Sequence, residues 1–399
     1  MANILLSGQF LLIAVTNFCL FLVVSTWSFL PVVIVDLGGN KLDVGLVMGS
    51  IGVTSLGALP LIAPFIDRYG RKIFIVGGVL LIGLTNGGFL LFERYSPLMI
   101  LVRLVQGVAF AACFNGCATA VVDLVPPAKR AQGIGLFGVS GSLAVSIGPY
   151  LGEMVLSHWG YKAYFVLLIA FGFSGFLASL FMREPDRKES GKAIHGFFLT
   201  AFHDGFISMM AMAVIFGSGF AAMNTFLPLY ATELGLQAGI FFVCYGCSLI
   251  FVRLVLGQVA DRVNRDKLIF GCLLGFGLLL VATSQISSMV QTALLGAVFG
   301  VVQGLSYPSM MARMVDRSGE HNRAIVVALF TGSFGVGINL SVLAWGLIAD
   351  TSGLGFMFLA GGIFMLAAAA FSALYFALGR DNSLEKAPVL ESKRSGSFQ

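Results

Sequence analysis

The sequence predicts an all-α integral membrane protein of twelve transmembrane helices in two pseudo-symmetric six-helix halves. Three observations carry this. Of 399 residues, 58% are hydrophobic and 11% charged, with a mean hydropathy of +0.94. A soluble domain carries about 25% charged residues, so this set cannot clothe a water-exposed surface. The chain also divides into twelve apolar tracts, each near the roughly 20 residues a spanning helix needs. Finally, a charged turn occurs twice, as PFIDRYGRK at 64–72 and GQVADRVNRDK at 257–267. The two Asp-Arg pairs, Asp67-Arg68 and Asp261-Arg262, stand 194 residues apart.

The elements follow in order. The first tract, 8–36, has no basic segment before it and is too long for a signal-peptide core, so it reads as a retained span. The first Asp-Arg turn separates spans at 43–65 and 72–92. Spans at 97–122 and 132–157 flank a turn holding Asp123 and Arg130, and 162–182 completes the first half, residues 1–182. Residues 183–199 (REPDRKESGKAIHGFFL) are polar and basic, as a linker between halves should be. The second half, 200–379, has spans at 200–233, 238–260, 267–285, 289–314, 323–349 and 355–378, and 380–399 reads as a polar tail. The repeat reaches well past the turns. FLPVVIVDLG at 29–38 matches FLPLYATELG at 226–235, Asp123 and Arg130 recur as Asp316 and Arg323, and Gly160 and Phe165 recur as Gly353 and Phe358.

Charge fixes the expected orientation. Lys41, Arg94 and Lys162 fall at one set of turns and Arg103 and Arg253 within spans; the other nineteen of 24 basic residues share the side of the Asp-Arg turns. Basic residues stay cytoplasmic, so both termini and the Asp-Arg turns are expected there, in a bacterial inner membrane. The net charge of +5 is scattered among turns, which argues against a nucleic-acid partner. The six cysteines lie in apolar tracts with no histidine near them and read as small packing residues; no metal site or cofactor is expected.

Taken with the repeat, these residues resemble the major facilitator superfamily over essentially the whole chain. That family carries Gly-x-x-x-Asp-Arg-x-Gly-Arg-Arg/Lys between helices 2 and 3, matched here by Asp67, Arg68, Gly70, Arg71 and Lys72, with Ala63 in place of the first glycine. The second copy keeps Gly257, Asp261 and Arg262 but has Asn264 for the next glycine. Two stretches are similar to its drug:proton antiporter and sugar-efflux branches. Arg103, Gln106 and Gly107 open helix 4, and Gly148, Pro149 and Gly152 mark helix 5, where Glu153 replaces the usual last glycine. The resemblance implies rocker-switch alternating access, with Asp67, Arg68, Gly70, Arg71, Lys72, Asp123, Arg130, Gly257, Asp261, Arg262, Asp316 and Arg323 forming a cytoplasmic gate that Arg253 could join.

A charge within a span costs several kcal/mol unless paired. Arg103 and Glu153 lie at similar depths from the same membrane face, so an ion pair is expected, with Glu153 carrying the coupling proton and Arg103 tuning it; a static structural pair is the alternative. Asp36, Asp43 and Glu233 stand at helix ends as solvated groups or a proton entry. Asn17, Trp27, Asn115, Asn224, Gln303, Tyr307 and Asn339 are the polar candidates for a substrate cavity, and Met209, Met212, Met223, Met310, Met311 and Met314 a soft lining for it. No Walker A pattern or Ser-His-Asp set appears, so a gradient-driven transporter is expected rather than an enzyme. Its partners are a small-molecule substrate, protons and the lipid bilayer, and the chain is expected to act as a monomer. Proton-coupled efflux of a small amphipathic organic compound comes first. Proton-coupled import of a small carboxylate bound by Arg103 is the alternative, and a non-transporting receptor or scaffold the third reading.

Overall fold

The computed structural model describes residues 7–126, 129–184, 206–256, 264–316 and 323–385. Twelve helices fall where the twelve tracts were expected. In the first half they are α1 (Gly8–Asp36), α2 (Lys41–Tyr69), α3 (Arg71–Leu91), α4 (Leu98–Leu124), α5 (130–159) and α6 (161–180). In the second half they are α7 (Ile207–Glu233), α8 (239–256), α9 (Arg265–Thr283), α10 (Met289–Asp316), α11 (Arg323–Ser352) and α12 (Leu354–Glu385). The last helix runs through Glu385, so the start of the expected tail is helical. Residues 185–205, which hold most of the expected linker, lie outside the described residues.

The ends of these helices follow from local chemistry. The Ser7 hydroxyl accepts from the Phe10 N–H at 3.3 Å to start α1, and Asn40 and Asp43 form a reciprocal capping box at the start of α2. Each satisfies backbone donors that have no partner within the helix. Between α2 and α3 the chain turns at Gly70, whose φ of 105° excludes most side chains. Pro31 and Pro228, 197 residues apart, lack an N–H, and the turns before them depart from α geometry in both halves. The first is a 3₁₀ turn at Trp27–Phe29 and the second a π turn at Ala222–Phe226. The repeat is therefore structural as well as sequential.

Within each half, small residues let helices approach closely. A Cβ on Gly148 would lie 2.9 Å from the Leu22 carbonyl oxygen, and one on Gly152 2.6 Å from Thr26 Cγ2, so this glycine face of α5 seats on α1. Between the halves α2 packs on α11 and α5 on α8, and the ends of α1 and α7 also touch. A Cβ on Gly346 would lie 2.8 Å from the Lys41 carbonyl oxygen, and one on Gly246 2.9 Å from Ser146 Cα. The first contact lies toward the end opposite the Asp-Arg turns and the second near the middle of α5. Met209, Met212, Met223, Met310 and Met314 are buried in helix packing rather than lining an open surface.

Candidate functional site

At the end opposite the Asp-Arg turns, carboxylates of one half cap helices of the other. Glu153 on α5 accepts from the Ala238 N–H through Oε1 at 2.7 Å and from the Gly239 N–H through Oε2 at 2.8 Å. These N–H groups open α8, where the helix end carries partial positive charge and unpaired donors. On the pseudo-symmetric seam, Asp350 on α11 accepts from the Lys41 N–H at 3.2 Å, at the start of α2. Lys41 Nζ also pairs with Glu233 at the end of α7, at 2.9 Å. This end of the molecule is thus shut by polar contacts between halves. Next to it lies a cavity of about 630 Å³ lined by Asp36, Tyr150, Glu153, His158, Tyr161 and Gln237 among others.

The expected Arg103–Glu153 ion pair does not form. Glu153 is spent on α8, and Arg103 turns into the first half. Its guanidinium stacks over the Trp27 ring, 4.4 Å from the centroid, and Nη1 donates to Gln106 Oε1 at 2.9 Å. Asn86 joins the network by accepting from Trp27 Nε1 at 3.0 Å and Gln106 Nε2 at 3.4 Å. Arg103 is 1% exposed, and among the described residues no carboxylate lies within ion-pair distance. A cation stacked on a desolvated indole is stabilised by about 2 kcal/mol, so the ring takes over part of what the expected carboxylate would supply. In this conformation Arg103 is closed off within the first half.

At the Asp-Arg end the described polar contacts lie within a half. The Arg71 side chain, 4% exposed, pairs with Asp67 at 3.0 Å and Asp123 at 3.0 Å. Glu184 accepts from the Arg71 and Lys72 N–H groups at 2.6 and 2.8 Å, capping α3, and Lys72 Nζ donates to the Leu180 carbonyl at 2.9 Å. In the second half Arg265 pairs with Asp316, and Arg313 with Asp266 at 2.8 Å. Arg265 and Asp316 stand 194 and 193 residues after Arg71 and Asp123, so the repeat offset was the signal that could have found this pair. Arg68 lies over the Tyr69 ring. Arg130 and Arg323 open α5 and α11, and Gly257, Asp261 and Arg262 lie outside the described residues.

The cavity candidates separate in the structure. Asn115, Asn224 and Asn339 each bond back to their own helix, through the carbonyls of Ala111, Phe220 and Gly335, and Trp27 belongs to the Arg103 network. Asn17 and Tyr307 instead reach neighbouring helices of their own halves. Asn17 on α1 donates to Ser140 Oγ on α5 at 2.9 Å, while its Oδ1 is buried without a partner; Gln303 Oε1 on α10 is in the same condition. Tyr307, one turn beyond Gln303, meets Thr331 Oγ1 on α11 at 3.4 Å. Arg253, on the π turn of α8, reaches α5 of the other half, donating to Ser142 Oγ at 2.6 Å and the Gly138 carbonyl at 3.3 Å. The sequence sets Arg253 as a snorkelling residue or a member of the gate; here it meets α5, whose Ser142 shares one stripe with Ser146, Pro149 and Glu153.

Comparison with known proteins returns one family. The profile described as Major Facilitator Superfamily matches residues 12–264 and 235–395. An uncharacterised MFS-type transporter of Methanocaldococcus jannaschii is 24% identical, the match covering 85% of this chain and 90% of that one. The staphylopine export protein of Staphylococcus aureus is 24% identical over 85% and 88%. The multi-drug resistance efflux pump PmrA of Streptococcus pneumoniae is 24% identical over 73% and 77%. Among solved structures, the nucleoside transporter NupG aligns with a TM-score of 0.78 at 16% identity, covering 93% of this chain and 99% of that one.

Proposed function

From the premise that the chain belongs to the Major Facilitator Superfamily, and is therefore a multi-pass membrane transporter, we propose that it exports a small amphipathic organic compound in exchange for protons. The export relatives support the direction. The basic residues gathered at the Asp-Arg turns support placing that end and both termini in the cytoplasm, with the chain in a bacterial inner membrane. The shut end then faces outward.

The observation that carries proton coupling is the seat of Glu153 across the seam. Both its oxygens accept from N–H donors of the opposite half, and protonation replaces one acceptor oxygen with a hydroxyl. Closing the outer end onto Glu153 therefore ties the environment of its carboxyl to the position of the two halves. In this reading a proton reaches Glu153 through the adjoining cavity while that end is open and is released toward the Asp-Arg end in the alternate conformation. In the return step, substrate binding supplies the energy that breaks the seat. An exchanger needs this alternation: proton in on one conformational change, substrate out on the other. Asp36, Tyr150, His158 and Tyr161 line the same cavity and form the route by which the proton arrives.

Inverted membrane vesicles test the reading. With the interior acidified, they should accumulate amphipathic aromatic probes, and Glu153→Gln should abolish the dependence on the pH gradient. Accumulation that survives collapse of the gradient refutes the coupling. Gradient-driven uptake by right-side-out vesicles only would make the protein an importer.

A further inference from the structure

We infer that the transported compound is an organic anion with a flat apolar body, and that Arg253 holds its negative group. The inference names the substrate class for the pathway proposed above and in that sense rests on that reading. It starts from the hydrogen-bond arithmetic of one guanidinium. Arg presents five N–H donors in a rigid fork. Both hydrogens of Nη1 are engaged, by Ser142 Oγ and the Gly138 carbonyl. The three on Nε and Nη2 have no partner among the described residues, and these form the edge that grips a carboxylate side-on through two parallel bonds. Arg253 is exposed, and among the described residues no carboxylate pairs with it. A full charge so placed within a span is costly, and a mobile anion is the partner that relieves the cost.

Its position excludes a lipid-facing role. The guanidinium is bonded to α5 of the opposite half and lies within electrostatic reach of the Tyr245 and Tyr307 hydroxyls, so it stands on the seam. Asn17, Ser140, Tyr307 and Thr331 lie eight to ten residues from the Asp-Arg ends of their helices. At ~1.5 Å per residue that places them all about 12–15 Å deep, on one level with the contacts of Arg253. The Asn17 Oδ1 atom, buried without a partner at this level, awaits a donor, and Gln303 Oε1, in the same condition, lies about one turn deeper. Arg253 itself sits on a π turn, an irregularity that recurs at functional sites.

The flat body is read from the walls. Gly141, between Ser140 and Ser142, would bring a Cβ to 3.5 Å from the Phe21 ring, and Phe21 packs edge-on to Phe114 at 5.6 Å. From the other half, Tyr307 packs edge-on to Phe330 and Phe334 at 5.1 and 5.2 Å. Tyr307 thus lies within electrostatic reach of the cation and Phe21 lies against the stretch of α5 that holds it, which suits a single negative group on an aromatic or similarly planar frame.

The test is equilibrium binding to the purified full-length protein in detergent, using 1-naphthoate, the neutral 1-naphthamide and the cationic 1-naphthylmethylamine. Wild type should bind the carboxylate at least tenfold more tightly than the amide, and the amine most weakly. Arg253→Gln should level carboxylate and amide. Arg253→Lys, which keeps the charge but not the fork, should retain part of the preference, and Ser142→Ala, which frees the guanidinium to swing, should weaken carboxylate binding several-fold. No preference for the carboxylate in wild type, or a preference untouched by Arg253→Gln, overturns the inference. Binding in detergent involves neither gradient nor direction, so loss of coupled export in vesicles would leave this result standing, and the reverse holds too.

Discussion

Replacing Glu153 by glutamine is the most direct probe of how this transporter holds its outer end shut. The carboxylate accepts two backbone N–H bonds, at 2.7 and 2.8 Å, from the first residues of a helix in the other half. Glutamine offers one carbonyl oxygen and turns an NH₂ toward the second N–H. The loss is one charge-assisted bond, about 1.5–3 kcal/mol, together with the attraction of the anion to the helix end, about 0.3–1 kcal/mol. Taking ~2 kcal/mol as the lower part of that range, and ~1.4 kcal/mol per tenfold, the ratio of outer-closed to outer-open molecules should fall roughly thirtyfold.

Distances between spin labels report that ratio. Arg94 and Ser287 are exposed, lie in turns at the shut end and belong to different halves. In a cysteine-free background, labels at these positions in wild type should give a short distance at pH 8 and an added longer one at pH 5, because protonation removes the anion that the α8 donors hold. Glu153→Gln should show the longer distance at both. If the variant keeps the wild-type distribution, or retains the full response to pH, then Glu153 neither shuts the outer end nor senses the proton there.

Three other perturbations test the frame around this seat. Asp123→Asn leaves the buried Arg71 guanidinium without its most buried partner, a loss on the order of 3–5 kcal/mol, whereas Asp67, 51% exposed, contributes about 1 kcal/mol or less; the melting temperature in detergent should fall clearly for Asp123→Asn and little for Asp67→Asn, and equal losses would contradict the burial argument. Gly246→Leu places a side chain where α8 meets Ser146 on α5, so the protein should fold but give the longer Arg94–Ser287 distance and lose export. Glu184→Ala removes the cap of α3, at about 0.5–2 kcal/mol, and should lower the melting temperature by a few degrees without changing which probes are bound.

What was legible in the sequence was whatever the membrane or the repeat imposes locally. Span positions follow from hydropathy over a window of about twenty residues, and the turns from charge and glycine, so α1 to α12 could be placed without knowing any contact between them. Pairings across space were another matter. Depth along a helix gave Arg103 and Glu153 a common level, but depth says nothing of azimuth, and the two side chains leave their helices in different directions: Arg103 toward Trp27 on α1, Glu153 toward the start of α8. Nor does sequence show when a backbone N–H will serve as the partner of a charge, which hid the roles of Glu153, Glu184 and Asp350 alike. The same blindness explains Arg253, which hydropathy alone could only set near the inner end of its span. Its meaning comes from what the rest of the fold leaves open: two hydrogens bound to the opposite half, and three directed at nothing the described chain supplies. In a bilayer an intraspan charge tends to be answered by protein, water or ligand. Arg103 is answered by a ring, an amide and a backbone carbonyl within its own half. Arg253 is answered only in part, on the seam between the halves, and that difference is the ground for proposing it as the binding cation.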